Sequence, residues 1–196
     1  MKNIVIIRHG RKDGDMVAAD QLREIEEKGI TGLNEIVKNY QGPVIIHRGT
    51  GFDRTRQTIE AFERFLKASK SKYIFGGYLP ANPSLGNQEM FNEFTANTAV
   101  ANEAEKTNWF KAFCDYNPRF IIKIKRILIK EITNIFNQVP ESSLTITINH
   151  TPLIEWLAFG LDVYHEVPRD LKLKELTGFV LTQKDGQITI KETIGF

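Results

Sequence analysis

The chain has 196 residues, 41% of them hydrophobic and 26% charged, which is enough for one substantial core and argues against disorder. A net charge of +2 is too small to imply nucleic acid as a partner. No apolar run approaches the ~18 residues of a membrane span, and Ile4–Ile7 is too short for the core of a signal peptide, so the expected setting is the cytoplasm.

In chain order, the first element is the continuous apolar run Ile4–Ile7, the signature of a strand buried on both faces. A helix is expected over residues 26–39, with Ile30, Leu33, Ile36 and Val37 on one side. Val44–Ile46 is a second buried strand. Residues 53–68 form a helix whose stripe is Ile59, Phe62, Phe65 and Leu66. A weaker extended stretch, Lys72–Phe75, ends at Gly76-Gly77.

Residues at about 76–116 are polar and short in regular pattern, as in an insertion or lid over the sheet. Phe91, Phe94, Trp109, Phe110 and Phe113 would supply its core. Cys114, the single cysteine, excludes an intrachain disulfide and fits a reducing compartment as a buried, inert thiol. Asn117-Pro118 is a helix cap followed by proline at the first helical position. Ile121, Ile124, Leu128, Ile132 and Ile135 continue at helical spacing until Pro140. Arg119, Lys123, Lys125, Arg126 and Lys130 are the solvated face of that helix.

Leu144–Ile148 is a strand alternating with threonines, so one face is less apolar. Thr151-Pro152 repeats the capping arrangement before Leu153, Ile154, Trp156 and Leu157. Gly178–Thr182 and Gln187–Lys191 flank Asp185-Gly186, a hairpin signal, and are expected to form an antiparallel edge. The alternation of short β-branched runs with helices predicts a single domain over 1–196, a three-layer α/β/α fold with a mostly parallel central sheet.

Three segments share the plan of strand, polar residues, helix: Arg8-His9-Gly10, His47 through Arg54, and Asn149-His150. In an open parallel sheet such segments emerge at one edge, outside the carboxyl ends of the strands, where ligands bind. They should converge although about 140 residues separate the extremes. Helices beginning near Asp53 and Pro152 would aim free backbone N–H groups at that edge, which favours an anion.

The chemistry follows from the side chains. A neutral imidazole can attack an electron-rich phosphomonoester if its other nitrogen is held as a donor, often to a backbone carbonyl. Arg8 and Arg54 offer bidentate forks for equatorial oxygens, and a second imidazole at His150, protonated or donating, adds a contact. The alkoxide leaving group needs a carboxylic acid nearby. His47 reads as a structural histidine and His165 as a surface residue. A metal site at His9, His47 and His150 lacks short ligand spacing or paired carboxylates.

These residues resemble the histidine phosphatase superfamily, with its phosphoglycerate-mutase-like fold. Its hallmark, Arg-His-Gly after the first strand, stands here as Arg8-His9-Gly10. Ile25-Glu26-Glu27-Lys28-Gly29 is similar to the family's Leu-Thr-Glu-x-Gly, and Arg54-Thr55-Arg56-Gln57-Thr58 to its Arg-Ala-x-Gln-Thr. Asn149-His150 stands where the family's late strand ends in a small residue and histidine. The resemblance implies that His9 is transiently phosphorylated and that Arg8, Arg54 and His150 line the phosphate pocket, with no metal or other cofactor.

The family's proton donor usually lies after the third strand near a Leu-x-Glu pattern. Leu85-Gly86-Asn87-Gln88-Glu89 is the nearest match, which implies Glu89, with Glu93 next and Asp13 or Asp15 as a third option. The mutase branch continues Arg-His-Gly with Glu-Ser-x-Trp-Asn, whereas this chain has Arg11-Lys12-Asp13-Gly14-Asp15. It also lacks that branch's Leu-Asn-Glu-Arg stretch, which favours hydrolysis over mutase activity. The second strand, usually followed by two serines, leads here into His47-Arg48-Gly49-Thr50-Gly51. His47 and Arg48 are therefore candidates to reach the substrate, and Arg11 and Lys12 to favour a second anionic group.

The expected function is phosphoric monoester hydrolysis through a phosphohistidine at His9, on a small phosphorylated substrate or a phosphoprotein. The alternatives are mutase-like phosphoryl transfer and a non-catalytic phospholigand-binding module.

Overall fold

A computed structural model of the protein describes residues 1–10, 19–68, 72–86, 118–150, 153–161 and 173–195, with Asn92, Asn102, Ala112 and Asp115. One six-stranded sheet organises them. Its strands are β1 (Lys2–Arg8), β2 (Pro43–His47), β3 (Ile74–Leu79), β4 (Leu144–Asn149), β5 (Gly178–Lys184) and β6 (Gln187–Ile194), in the order β3-β2-β4-β1-β5-β6. β3, β2, β4 and β1 run parallel, while β5 and β6 are antiparallel to β1 and to each other. The helices described along their length are α1 (Ala19–Lys38), α2 (Asp53–Ala68), α3 (Pro118–Gln138) and α4 (Leu153–Gly160), and Pro83–Leu85 is a 3₁₀ turn.

The period of two along a strand divides the core between two faces. Ile4, Ile6 and Ile45 pack against Ile124, Leu128 and Ile132 of α3 and Leu153, Trp156 and Leu157 of α4. Val5, Ile7, Val44, Ile46 and Ile146 pack instead against Leu33 and Val37 of α1 and Ile59, Phe62 and Leu66 of α2. The mostly parallel three-layer fold with an antiparallel edge is as the sequence pattern predicts. The turn between β5 and β6 places Asp185 and Gly186 in the left-handed region (φ 51° and 79°), which is why that dipeptide marks the hairpin.

Three boundaries differ from the sequence expectation. α1 starts at Ala19 rather than 26, because residues 19–25 are helix formers that supply few apolar residues to reveal the period. β3 does not end at the glycines. It runs through Gly76-Gly77 to Leu79, and Gly76 is the extra residue of a bulge, since Val44 pairs with Phe75 and Ile45 with Gly77. The insertion expected at about 76–116 therefore loses its first residues to the sheet. Most of its remainder, with Cys114 and the aromatic set, lies outside the described residues, as do Asn117, the Thr151-Pro152 cap and His165.

β4 qualifies another expectation. Its threonine face is as buried as its apolar face, with Thr145 and Thr147 both at 0% exposure. The Thr147 hydroxyl, on the α3/α4 side of the sheet, meets His47 Nδ1 at 2.9 Å. Among the described residues no helix is long and apolar enough to cross a membrane.

Candidate active site

Strand register brings the two principal histidines together. Parallel pairing of β1 with β4 sets Arg8 opposite Asn149, and the His9 N–H donates to the Asn149 carbonyl (2.9 Å). The next residue on each strand is a histidine. Neighbouring strands lie about 4.8 Å apart, and the His9 and His150 ring centroids are 4.9 Å apart, tilted by 60°. Both imidazoles are buried, at 6% and 7% exposure.

Each ring is tethered. His9 Nδ1 bonds the Gly10 carbonyl. A carbonyl only accepts, so Nδ1 carries the proton and Nε2 keeps its lone pair. Gly10 is itself fixed by its N–H to Thr58 Oγ1 (2.9 Å), and that hydroxyl donates to the Arg54 carbonyl (2.8 Å). His150 Nε2 lies 3.0 Å from the Thr50 hydroxyl, and the backbone N–H of His150 donates to Asn149 Oδ1 (2.7 Å). Phe52 stacks obliquely on the His150 ring at 5.5 Å.

The rings are held uncharged. Burial is the largest cause lowering the pKa of His9, aided by Arg8 and Arg54, while the Gly10 bond and Glu175 work in the opposite sense. Burial, then His9, Arg54 and Arg8, push His150 down to about 3. Of the two states expected for His150, protonated or merely donating, these surroundings favour the neutral one.

The arginines are placed differently. Arg54 lies in the first turn of α2, exposed, with its charge bearing on both imidazoles. Arg8 is half-buried and engaged by its own chain: Nη1 donates to the Leu173 carbonyl (2.6 Å) and Nη2 pairs with Glu175 Oε1 (3.0 Å). Its Nε–H is buried and has no acceptor among the described residues.

His47 is structural. Its Nδ1 accepts the Gly49 N–H (3.1 Å) and meets Thr147 Oγ1, and burial lowers its pKa to about 4. It fixes the turn in which Gly49 takes φ 62°, a conformation that a side chain would strain. A Cβ there would also lie 2.7 Å from the Ile148 carbonyl. Arg48 pairs with Glu63 (3.3 Å) and lies 4.0 Å over the Tyr78 ring. Among the described residues no three His, Cys, Asp or Glu side chains form a group that could hold a metal ion. Glu89, Glu93, Asp13, Asp15, Arg11 and Lys12 lie outside the described residues.

Sequence reasoning missed the hydroxyls that fix this geometry. Thr50 is fully buried, and its Oγ1 also lies 3.1 Å from Thr55 Oγ1, which donates to the Phe52 carbonyl (2.8 Å). The spacing of Thr55 and Thr58 on a helix puts both on one face, and Thr50 stands in the loop where serines are usual, so a signal existed. Glu175 carried none.

No family model matches the chain, and no curated protein matches it by sequence. Solved structures do match. YhfR of Bacillus stearothermophilus superposes with a TM-score of 0.60 over 97% of this chain and 96% of its own, at 10% identity. A mutant phosphoserine phosphatase from Entamoeba histolytica, in complex with phosphoserine, gives 0.53 over 98% and 96%, at 13% identity. Phosphoserine phosphatase from the same organism with 3-phosphoglyceric acid gives 0.53 over 100% and 98%, at 11% identity. At such identities the likeness concerns the path of the chain, and from end to end that path is the phosphoglycerate-mutase-like fold expected from Arg8-His9-Gly10 and the motifs that follow it.

Proposed function

We propose that the chain is a phosphoric monoester hydrolase working through a covalent phosphohistidine at His9. One observation carries the reading: a neutral His9 ring, its Nδ1 proton committed to Gly10, stands ring to ring with His150 under the charge of two arginines. That is the state in which an imidazole attacks phosphorus without adding negative charge to the site.

Two half-reactions follow. Nε2 of His9 attacks phosphorus and the ester P–O bond breaks. A carboxylic acid, for which Glu89 is the candidate and Glu93, Asp13 or Asp15 the alternatives, gives its proton to the leaving alkoxide. The same group, now a carboxylate, then takes a proton from water, which attacks the phosphohistidine and restores His9. Arg8 and Arg54 hold equatorial oxygens, and His150 donates a further hydrogen bond. The substrate is a small phosphorylated metabolite or a phosphoprotein of the cytoplasm. A structural neighbour described as a phosphoserine phosphatase supports a phosphoester of modest size. Nucleic acid and membrane surfaces are not expected partners.

Substituting His9→Ala is expected to cut hydrolysis of p-nitrophenyl phosphate about a thousandfold or more, with the fold intact by circular dichroism. Acid-labile labelling by a reactive phosphoester should disappear with it. Turnover at the wild-type rate in His9→Ala would refute the assignment.

A further inference from the structure

We propose that Glu175 is an internal anion seated on Arg8, a positioning residue that an incoming phosphoryl oxygen must displace and that sets the affinity of the site for phosphate. This rests on the hydrolase reading above and deepens it.

The guanidinium of Arg8 has a rigid fork suited to two parallel bonds with an oxyanion. That fork is taken by residues 173–175. Leu173 supplies a carbonyl to Nη1 and Glu175 a carboxylate to Nη2, while the buried Nε–H lacks an acceptor among the described residues. The cation is thus partly satisfied and partly in want of an oxygen. A dianionic ligand would meet both an unspent donor and a competing negative charge. The same carboxylate acts on the nucleophile, opposing the lowering of its pKa by burial and by the arginines.

Glu175 is not a loose surface carboxylate. It belongs to a turn closed by the Thr177 N–H and hydroxyl, which both donate to the Lys174 carbonyl (3.2 and 2.8 Å). Leu176 in that turn has φ 58°, a position glycine normally fills. For a bulky side chain that conformation is strained. Two contacts enforce it. The Leu176 N–H donates to the Arg8 carbonyl (3.1 Å), so the turn is tied to the residue it clamps. The Leu176 side chain is buried against Gly29 of α1, where a Cβ would lie 2.5 Å from its own Cβ. Strain retained beside a catalytic strand end points to a role for the residue it positions. The role that fits is exchange: phosphate takes the Nη2 donor as it binds, and Glu175 returns as it leaves, which speeds product release.

The test is Glu175→Gln, which keeps a hydrogen-bond acceptor for Arg8 and removes the charge. Titration with inorganic phosphate, followed by calorimetry, is expected to show binding about threefold to fivefold tighter than wild type, the size of a partly exposed ion pair. KM for p-nitrophenyl phosphate should fall in the same proportion while kcat does not rise. A merely structural role predicts the opposite sign, because a disordered Arg8 would weaken phosphate. Equal or weaker phosphate binding by Glu175→Gln overturns the proposal. If that variant does not fold, Glu175→Ser is judged by the same titration and the same criterion. Failure of the hydrolase reading looks different: the wild-type chain would hydrolyse no ester, whereas the phosphate titration reports on Glu175 independently of turnover.

Discussion

Replacing Thr50 by valine tests whether the hydroxyl chain behind His150 matters to the site. The change is nearly isosteric, so it deletes an oxygen without opening a cavity. That oxygen is fully buried and meets His150 Nε2 at 3.0 Å, Thr55 Oγ1 at 3.1 Å and the Phe52 N–H at 3.4 Å. The last contact is long and counts for little. Thr55 keeps its bond to the Phe52 carbonyl, so it loses only an optional partner. The loss therefore falls on His150, whose ring nitrogen is left facing a methyl group. A buried polar atom deprived of its partner costs about 1–3 kcal/mol. Urea unfolding should lose that amount.

If the ring then tilts to find another partner, its contact with the transferring phosphoryl group weakens by a comparable energy. The same 1–3 kcal/mol corresponds to roughly a fivefold to hundredfold loss in kcat/KM for p-nitrophenyl phosphate. Thr50→Ser keeps the oxygen and should recover most of the activity. A valine variant with wild-type kinetics would show that Thr50 does not orient His150 in the working protein, and the argument from the hydroxyl chain would fall.

Acid should destabilise the fold through its buried histidines. His47 and His150 have pKa values of about 4 and about 3 when folded, against an ordinary 6.5. The unfolded chain thus binds more protons below pH 6.5, and the stability present above that pH is lost as pH falls toward the folded values. Between pH 7 and pH 5 each contributes a loss of about 1–2 kcal/mol, readable as a lowered denaturation midpoint in phosphate-free buffer. A midpoint flat over that range would contradict the burial. Gly29→Ala ought to stabilise an ordinary helix by about 1 kcal/mol. Here the added methyl meets Leu176 Cβ at 2.5 Å, and a net loss of about 1–3 kcal/mol is expected in urea unfolding. Stabilisation would show that the turn at Leu176 yields freely.

Periodicity made the core legible. Ile4–Ile7 and Val44–Ile46 are apolar at every position because each residue faces a helix layer on one side or the other. The meeting of His9 with His150 was legible too, since both end parallel strands and the register supplies the rest. What resisted reading was local backbone chemistry. Gly76-Gly77 looked like a stop because glycine usually interrupts a strand, yet here it accommodates a bulge. The turn holding Glu175 gave no sign because leucine occupies its left-handed position. Only tertiary contacts, with Gly29 and the Arg8 carbonyl, select that conformation, and such contacts leave no trace in a window of sequence. Thr50 lay between these extremes. Serines are usual in that loop, which was a signal for its hydroxyl, but the partner of that hydroxyl is 100 residues away.

The electrostatics of the site explain how two imidazoles can be kept buried beside two guanidinium groups. Two neutral imidazoles beside two guanidinium groups would be an unstable arrangement if either ring took up a proton, and burial together with the cations prevents it. Glu175 offsets part of the remaining positive charge. A phosphate dianion reverses the sign of the local field. On the proposed reading it would displace the carboxylate from Arg8 and favour protonation of His150, and His9, its Nδ1 proton held by the Gly10 carbonyl, would remain the nucleophile. The charge of such a ligand would then make a nucleophile and a donor of two similar histidines, and their differing tethers, a carbonyl for one and a hydroxyl for the other, would decide which is which.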